Sequence, residues 1–156
     1  MRRPPMPPSY VFLIDTSNTS VNNGFMSSVI ESIKDFIQND CFANLSRTRI
    51  AIITYDATIN FYNMNPKLNQ PQMLCVTDEL FLPAPIEFLM ANLEDSKNGL
   101  ITLLDLIKDV TPNTQTCNDS SKLLMAVKAA FLLLQSNGGK IVAFNSSLSF
   151  ALTVRI

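Results

Sequence analysis

The residues best suited to chemistry follow the first apolar segment of the chain, in the pentapeptide DTSNT at positions 15–19. Asp15 supplies a carboxylate, and Ser17 and Thr19 supply hydroxyls at the second and fourth positions after it. Carboxylate and hydroxyl oxygens are hard ligands of the kind that Mg²⁺ binds. Asp15 also ends an apolar run typical of a strand, and in open α/β sheets ligands bind beyond the carboxyl ends of the strands. The pentapeptide therefore raises the hypothesis of a magnesium site.

The same pentapeptide resembles the Asp-x-Ser-x-Ser signature of von Willebrand factor A domains, in which an aspartate and two hydroxyls face a magnesium ion. Such a site also needs a threonine from a later loop and an acidic residue after a later strand, because one carboxylate competes poorly with water for a hard cation. The later strand here ends in Asn145 and Ser146, and Thr114 and Thr116 are only loosely placed for the loop ligand. The motif is degenerate, and no resident metal is predicted.

A structural role for Asp15 is the favoured alternative. Its carboxylate is expected to cap the start of the following helix or to fix the loop, with Ser17, Thr19 and Ser20 adding local hydrogen bonds.

Other catalytic motifs are missing from the sequence. The absence of histidine excludes Ser-His-Asp triads, Cys-His pairs and HExxH metal sites. The four glycines form neither GxGxxG nor GxxxxGK[ST], so no loop is predicted to bind a phosphate. The adjacent acidic residues Asp78/Glu79 and Glu94/Asp95 are assigned to capping or solvated positions. We expect a protein that is not an enzyme and that needs no cofactor.

Composition restricts the partners and the compartment. Hydrophobic residues make up 47% and charged residues 16%, with a net charge of -1, which does not provide the basic surface that nucleic-acid binding requires. Cys41, Cys75 and Cys117 form no CxxC pair, which favours a reducing, cytoplasmic setting. No signal peptide follows the N-terminal prolines, and no apolar run reaches membrane-spanning length. We expect one soluble domain, residues 1–156, with no nucleic-acid partner.

Strands and helices alternate along the chain. Apolar runs predict strands at Ser9–Asp15, Thr48–Asp56, Ile59–Asn63, Met73–Val76, Lys140–Asn145 and Phe150–Ile156. The remainder of Gln70–Met90 is expected to be a loop, because prolines interrupt it. The predicted fold class is α/β, with a doubly wound, mostly parallel sheet and one antiparallel edge hairpin at Thr48–Asn63.

Apolar spacings of three and four predict three helices. The first is expected to begin at an N-cap on Ser20, the second runs from Ser96 to just before Pro112, and the third covers Ser120–Gln135 and stops at Gly138 and Gly139. Their predicted apolar stripes are Phe25, Met26, Val29, Ile30, Ile33, Phe36 and Ile37 in the first helix, Leu100, Leu103, Leu104, Ile107 and Val110 in the second, and Leu123, Leu124, Val127, Ala130, Phe131 and Leu134 in the third.

Four separated segments resemble one known family. They are RRPPMPPSYVFLIDTS at Arg2–Ser17, FYNMNPKLNQPQML at Phe61–Leu74, FLPAP at Phe81–Pro85 and GGKIVAFNSSL at Gly138–Leu148. In order and spacing they are similar to the trunk domain of the cargo-adaptor subunit of the COPII vesicle coat, in the Sec23/Sec24 family. The resemblance implies a von Willebrand factor A-like fold without a metal role, which agrees with the incomplete ligand set.

A binding function is what this resemblance implies. The trunk would pair with the GTPase-activating subunit of the same coat and help to read cargo sorting signals for transport from the endoplasmic reticulum to the Golgi. The protein would be cytoplasmic and peripheral on the endoplasmic reticulum membrane. Full-length members carry further domains and continue beyond the last matched strand, so the chain is expected to be an excerpt, and Phe150–Ile156 is assigned no role.

Four residues are candidates for partner binding. The segment Gln70–Pro85 is the expected contact surface, through a strand edge or a small pocket. Within it, Phe81 and Leu82 are large apolar side chains between prolines, which either pack in the core or contact a partner. Arg2 and Arg3 are candidates for contact with acidic sorting signals or with the anionic leaflet.

A metal-dependent adhesion module of the von Willebrand factor A class is the alternative hypothesis. The incomplete ligand set, the unpaired cysteines and the missing signal peptide all disfavour it.

Overall fold

A computed structural model of the chain describes residues 8–39, 47–77, 80–114, 123–146 and 150–155. In chain order the elements are β1 (Ser9–Asp15), α1 (Asn18–Asn22), α2 (Phe25–Gln38), β2 (Arg49–Tyr55), β3 (Ile59–Asn63), β4 (Gln72–Val76), α3 (Ile86–Leu89), β5 (Ala91–Asn92), α4 (Leu93–Thr114), α5 (Leu123–Leu134), β6 (Lys140–Asn145) and β7 (Phe150–Arg155). The strands that were predicted from apolar runs are all present, and each begins and ends within one residue of its predicted bounds.

The strands form one open sheet in the order β4-β3-β2-β1-β6-β7, with the short β5 added to β2. β1 pairs in parallel with β2 and β6, whereas β2–β3, β3–β4, β2–β5 and β6–β7 are antiparallel. The α/β class is confirmed, but the prediction of a mostly parallel sheet with one antiparallel hairpin is wrong. A parallel pair needs a crossover of a dozen or more residues, and the short links at 56–58 and 146–149 permit only antiparallel pairing.

Apolar layers cover both faces of the central strands. Alternate residues of β1 face opposite sides, so that Val11 and Leu13 pack on the α5 side and Phe12 and Ile14 pack on the side of α2 and α4. The prediction that β1 is buried on both faces is therefore confirmed. The two layers hold the strand ends at fixed positions.

The first predicted helix is divided in two. Ser17, and not Ser20, is the N-cap of α1, because the Ser17 hydroxyl accepts a hydrogen bond from the backbone N–H of Ser20 at 3.5 Å. Gly24 has a φ of 78° and separates α1 from α2, a left-handed conformation that glycine adopts without steric cost. On α2, Phe36 was predicted to be buried, but 54% of its surface is exposed.

The second helix is longer than predicted. α4 begins at Leu93, because the side-chain oxygen of Asn92 accepts hydrogen bonds from the backbone N–H groups of Glu94 and Asp95. It continues past Pro112 to Thr114. A proline in the last turn removes only one backbone hydrogen bond, so the helix can include it. Val110, which was predicted to be buried, is exposed.

The third helix buries a face that matches the predicted one only in part: Ala130 and Leu134 are buried as predicted. The side chains of α5 that lie in the core are Ala126, Ala129, Ala130, Leu133 and Leu134, and Leu124 and Phe131 are exposed by 71% and 46%. Apolar residues surround α5, so the sequence pattern does not define one buried side. Small alanines let the helix approach the sheet closely, and this selects the alanine face.

The predicted stop of this helix is confirmed at its glycines. The N–H of Gly138 donates to the carbonyl of Leu134 at 2.6 Å, and Gly138 has a φ of 71°. One helix was not predicted, α3, which lies within the segment that was expected to be a loop. The final segment, to which no role was assigned, pairs with β6 at the edge of the sheet as β7.

Candidate functional site

The parallel strands β1, β2 and β6 bring their carboxyl ends to one edge of the sheet. Asp15 ends β1 and lies opposite Tyr55 at the end of β2, and Asn145 and Ser146 follow on β6. All four residues are buried, and Asp15 is 1% exposed. The predicted location of Asp15 at the end of a central strand is confirmed.

Protein donors occupy both oxygens of the Asp15 carboxylate. Oδ1 accepts a hydrogen bond from the backbone N–H of Ser17 at 2.9 Å. Oδ2 accepts from the backbone N–H of Ser146 at 3.1 Å and from the Ser146 hydroxyl at 2.7 Å. In addition, the Ser20 hydroxyl donates to the Asp15 carbonyl at 2.7 Å. The aspartate thus connects the end of β1 to α1 and to the end of β6.

The residues at this position do not fit a magnesium ion. Ser146 stands where the second acidic ligand is expected, and it donates to Asp15 instead of adding a negative charge. The Ser17 hydroxyl caps α1, and Thr19 is exposed. Thr114 ends α4, and Thr116 lies outside the described residues. Over the described part of the chain there is no group of three or more His, Cys, Asp or Glu side chains able to hold a metal.

Tyr55 completes the cluster and was not predicted from the sequence. Its hydroxyl donates to the carbonyl of Phe144 at 3.1 Å and lies 3.4 Å from the side-chain oxygen of Asn145. Burial, and then the negative charge of Asp15, raise the pKa of the Tyr55 hydroxyl well above its usual range. The hydroxyl therefore stays neutral and holds β2 to β6. The one sequence feature that could have indicated this role of Tyr55 is its position just before Asp56 at the end of a strand.

A second hydrogen-bonded group lies on β2 and β3. The Thr54 and Tyr62 hydroxyls share a hydrogen bond of 2.9 Å, and the Asn60 side-chain amide donates to Thr54 at 3.3 Å. Burial raises the pKa of Tyr62 to about 12. These contacts stabilise the pairing of β2 with β3.

The candidate partner-binding residues have different positions. Phe81 is 56% exposed, whereas Leu82 is partly buried and packs against the core on the α5 side. The structure therefore presents Phe81 to solvent and uses Leu82 in packing. Arg2 and Arg3 lie outside the described residues.

Exposed large apolar side chains lie on several elements of the fold. Met73 on β4 is 55% exposed, close to the exposure of Phe81. Phe36 lines an open apolar groove of about 300 Å³ between α2 and the strands β1 and β6. Phe131 and Leu80 line a second apolar groove on the α5 side. The sequence pattern missed the two grooves because it assigned Phe36 and Phe131 to the core.

The fold and this strand-end cluster define an α/β domain with a single open, mixed sheet. In this domain, hydrogen bonds from the protein itself occupy the carboxylate of the candidate metal motif. Comparison with known proteins narrows this class. The model of the Sec23/Sec24 trunk domain matches residues 5–153. The chain belongs to the Sec23/Sec24 trunk domain family, and the resemblance read from its four sequence segments is confirmed.

Relatives in animals and plants are similar over nearly the whole chain. Human "Protein transport protein Sec24A" is 39% identical over 150 residues, which cover 95% of this chain and 13% of the relative. "Protein transport protein SEC24 A" of Arabidopsis thaliana is 40% identical over 152 residues, which cover 95% of this chain and 14% of the relative. The chain thus spans about a seventh or less of the length of these relatives.

A solved structure agrees with the fold. The crystal structure of the human COPII-coat protein Sec24c superposes with a TM-score of 0.76 and 26% identity, and the match covers 91% of this chain and 19% of that one. Among the helices in the described residues, none is both long and apolar enough for a membrane span.

Proposed function

We propose that this chain is the trunk domain of a COPII cargo adaptor, a domain that pairs with the GTPase-activating coat subunit and helps to select cargo for transport from the endoplasmic reticulum to the Golgi. The observation that carries the proposal is membership of the Sec23/Sec24 trunk domain family over residues 5–153. Relatives named as protein transport proteins and a solved structure named as a COPII-coat protein support it.

The proposed role is binding without catalysis and without a cofactor. At the strand ends, where an α/β enzyme would place reactive groups, the Asp15 carboxylate is engaged by Ser17 and Ser146. The Tyr55 hydroxyl is neutral and donates to backbone. We also infer a von Willebrand factor A-like arrangement, which is supported by the parallel central strands and by helices on both sheet faces.

The proposed contact surface is the segment from Gln70 to Pro85. It contains β4 and the exposed Phe81, while Leu82 anchors the segment to the core. An exposed phenylalanine on a segment that the core holds in place can serve as an interface anchor, since aromatic side chains carry much of the energy of protein interfaces.

Arg2 and Arg3 remain proposed contacts for acidic sorting signals or for the anionic leaflet of the endoplasmic reticulum, where the protein would be peripheral on the cytosolic face. The double variant Arg2→Ala/Arg3→Ala should bind acidic cargo peptides and anionic vesicles more weakly than the parent. Unchanged binding to both would remove this part of the proposal.

The proposed pairing can be tested directly by size-exclusion chromatography with light scattering. The chain is mixed with the GTPase-activating coat subunit in the presence of magnesium and again with EDTA. We expect a one-to-one complex in both buffers, because Asp15 has no need of a cation. If no complex forms and magnesium stabilises the free chain, the proposal fails and the metal-dependent adhesion module takes its place.

A further inference from the structure

Three of the four glycines in the chain directly follow an asparagine, at Asn23–Gly24, Asn98–Gly99 and Asn137–Gly138. All three asparagines are exposed. An Asn–Gly pair can lose ammonia without an enzyme, because glycine has no side chain to shield its backbone nitrogen or to restrict its rotation. Asparagine is accordingly a thermolabile residue. The structure decides which of the three pairs is able to react in the folded chain.

The reaction at such a pair has two steps. In the first, the backbone nitrogen of glycine attacks Cγ of asparagine and forms a bond to it, while the bond from Cγ to Nδ2 breaks. Ammonia leaves with the proton that the glycine nitrogen releases. In the second step, solvent water opens the resulting succinimide ring at one of its two carbonyl groups and leaves either aspartate or isoaspartate. The first step requires the glycine N–H group to leave its hydrogen bond and turn towards the asparagine side chain.

The fold restrains the two later pairs. Gly99 lies beyond the first turn of α4, where the helix hydrogen-bonds each backbone N–H group, so a rotation at this pair would disrupt the helix. The N–H of Gly138 donates the hydrogen bond of 2.6 Å that ends α5. The adjacent Gly139 packs so closely against Ser9 that an added Cβ would lie 2.6 Å from the Ser9 carbonyl oxygen. Neither glycine nitrogen can turn without breaking these contacts.

The first pair lies between two helices and is less restrained. Gly24 has a φ of 78°, and its N–H donates to the carbonyl of Val21 at the longer distance of 3.3 Å. Asn23 has a ψ of 1°, and ring closure requires this bond to rotate. A compensating change in the φ of Gly24 lets the intervening peptide group turn while α1 and α2 stay in place, because glycine adopts positive and negative φ with similar ease.

The Asn23 side chain is also well placed for the attack. Its oxygen accepts a hydrogen bond from the backbone N–H of Phe25 at 3.0 Å, so the side-chain amide reaches across the peptide group that holds the attacking nitrogen of Gly24. Negative charge develops on this oxygen during the attack, and a donor already in position stabilises that charge. Phe25 begins α2, and the partial positive charge of the helix N-terminus acts in the same direction.

We propose that Asn23 is a site of spontaneous deamidation, with water as the co-reactant, and that it reacts before Asn98 and Asn137. The aspartate product suits the fold. The first turn of α2, FMSS at positions 25–28, carries no acidic residue. A carboxylate at position 23 would keep the hydrogen bond to the N–H of Phe25 and add a negative charge where the helix dipole favours one.

The isoaspartate product has the opposite effect. It inserts a methylene group into the main chain between α1 and α2. α1 is fixed to the end of β1, because the Ser20 hydroxyl donates to the Asp15 carbonyl at 2.7 Å. The longer main chain would therefore strain either this contact or the start of α2, and we expect it to destabilise the fold.

The test follows deamidation of the full chain in mildly alkaline buffer by peptide mass spectrometry. Cleavage after lysine separates the three pairs, because lysines lie between them at positions 34, 97 and 128. Asn23→Ser removes the side-chain amide and keeps an oxygen that can cap α2. Asn137→Ser is the matched control, because it removes an exposed Asn–Gly pair that follows another helix. Thermal melting verifies that each variant is folded.

We expect Asn23 to react about tenfold faster than Asn98 or Asn137, since a difference of about one hydrogen bond in the opening step changes a rate by that factor. Release of ammonia should fall severalfold in Asn23→Ser and stay near the parent value in Asn137→Ser. In guanidinium chloride the three pairs should react at similar rates, because the fold no longer distinguishes them. The variant Asn23→Asp should raise the melting temperature by about 1–3 °C.

Three results would overturn the inference. If Asn98 or Asn137 reacts as fast as Asn23 in the folded chain, the break between α1 and α2 does not control the reaction. If the folded parent shows no deamidation at Asn23 over a period in which the denatured chain is converted, the fold protects this pair too. A melting temperature lowered by Asn23→Asp would contradict the effect assigned to the aspartate product.

Discussion

At the residue scale, Asp15 lies in a motif that suggests a metal ligand, but its carboxylate has a structural role. The sequence showed a carboxylate with hydroxyls nearby at a strand end, which is as much as a linear pattern can show. Ser146 is 131 positions away in the chain, so the donors that occupy the carboxylate become visible only when β1 and β6 are placed side by side.

Replacing Asp15 tests this structural role. Asp15→Ala removes the acceptor of three hydrogen bonds and leaves buried N–H groups without a partner, so we expect the free energy of unfolding to fall by about 3 kcal/mol. Urea denaturation followed by circular dichroism measures the change. Thr19→Ala, in the same pentapeptide, alters an exposed hydroxyl and should stay within about 0.5 kcal/mol of the parent.

The same variants distinguish the metal hypothesis. A magnesium site predicts that excess magnesium stabilises the parent chain and that both substitutions abolish the effect. The structural role predicts that magnesium and EDTA give equal unfolding curves for the parent. A magnesium-dependent stabilisation that Thr19→Ala removes would show that our assignment of Asp15 is wrong.

Cys75 provides a second prediction for a single residue. Cys75 is an exposed residue, but partial desolvation of its thiol, and then the charge of Asp56, raise the pKa of that thiol, so less thiolate is present near neutral pH than in an unfolded chain. In a variant with Cys41→Ser and Cys117→Ser, the thiol should react more slowly with an aromatic disulfide reagent at neutral pH than it does in urea. Equal rates in the two conditions would contradict the raised pKa.

At the element scale, two glycines show how local geometry decides a substitution. A Cβ on Gly139 would lie 2.6 Å from the Ser9 carbonyl oxygen, and Gly139 has a φ of 151°. A Cβ on Gly99, inside α4, has nothing within 4 Å. The first position joins the end of α5 to β6, and the second is an ordinary position within a helix.

Opposite effects on stability are therefore expected from the same chemical change. Gly139→Ala forces the start of β6 away from β1 and should cost about 2 kcal/mol or more. Gly99→Ala should stabilise the chain by about 0.5–1 kcal/mol, because alanine favours the helix and restricts the unfolded chain. Thermal melting of the two variants and the parent chain measures both effects. Destabilisation by both substitutions would contradict the predicted difference between Gly139 and Gly99.

The elements also show which features the sequence could predict. Continuous apolar runs located β1, β2, β3 and β6, and β1 and β2 carry few polar residues because both of their faces are buried. Strand direction was missed at β7, where pairing depends on the length of a link. The buried face of α5 was predicted only in part, at Ala130 and Leu134, because apolar residues surround the helix and only the sheet beneath selects the other alanines.

At the scale of the whole molecule, stability arises from the two apolar layers more than from surface charge. Ion pairs join α2 and α4, between Lys34 and Asp105 at 2.6 Å and between Lys108 and Glu31 at 2.8 Å. Lys108 lowers the pKa of Glu31, and Asp105 raises the pKa of Lys34. Each pair has at least one partner that is about half exposed, and pairs in contact with solvent contribute little, so added salt should change the melting temperature only slightly.

Alkaline pH should destabilise the whole molecule through its buried tyrosines. In the unfolded chain a tyrosine has a pKa of about 10, and burial raises the pKa of Tyr62 to about 12 and that of Tyr55 further. Because the folded state favours the neutral hydroxyls, their stabilising contribution is complete below about pH 10 and declines as the pH rises through about 12. For Tyr62 alone the loss approaches about 3 kcal/mol.

Melting temperatures measured between pH 8 and about pH 12 test this linkage in the parent chain and in Tyr62→Phe. At neutral pH the variant lacks the hydrogen bond to Thr54 and should be less stable by about 1 kcal/mol. Above about pH 10 its melting temperature should fall less steeply, because one titrating group is gone, so the two curves converge. Parallel curves over this range would show that Tyr62 does not link the fold to pH.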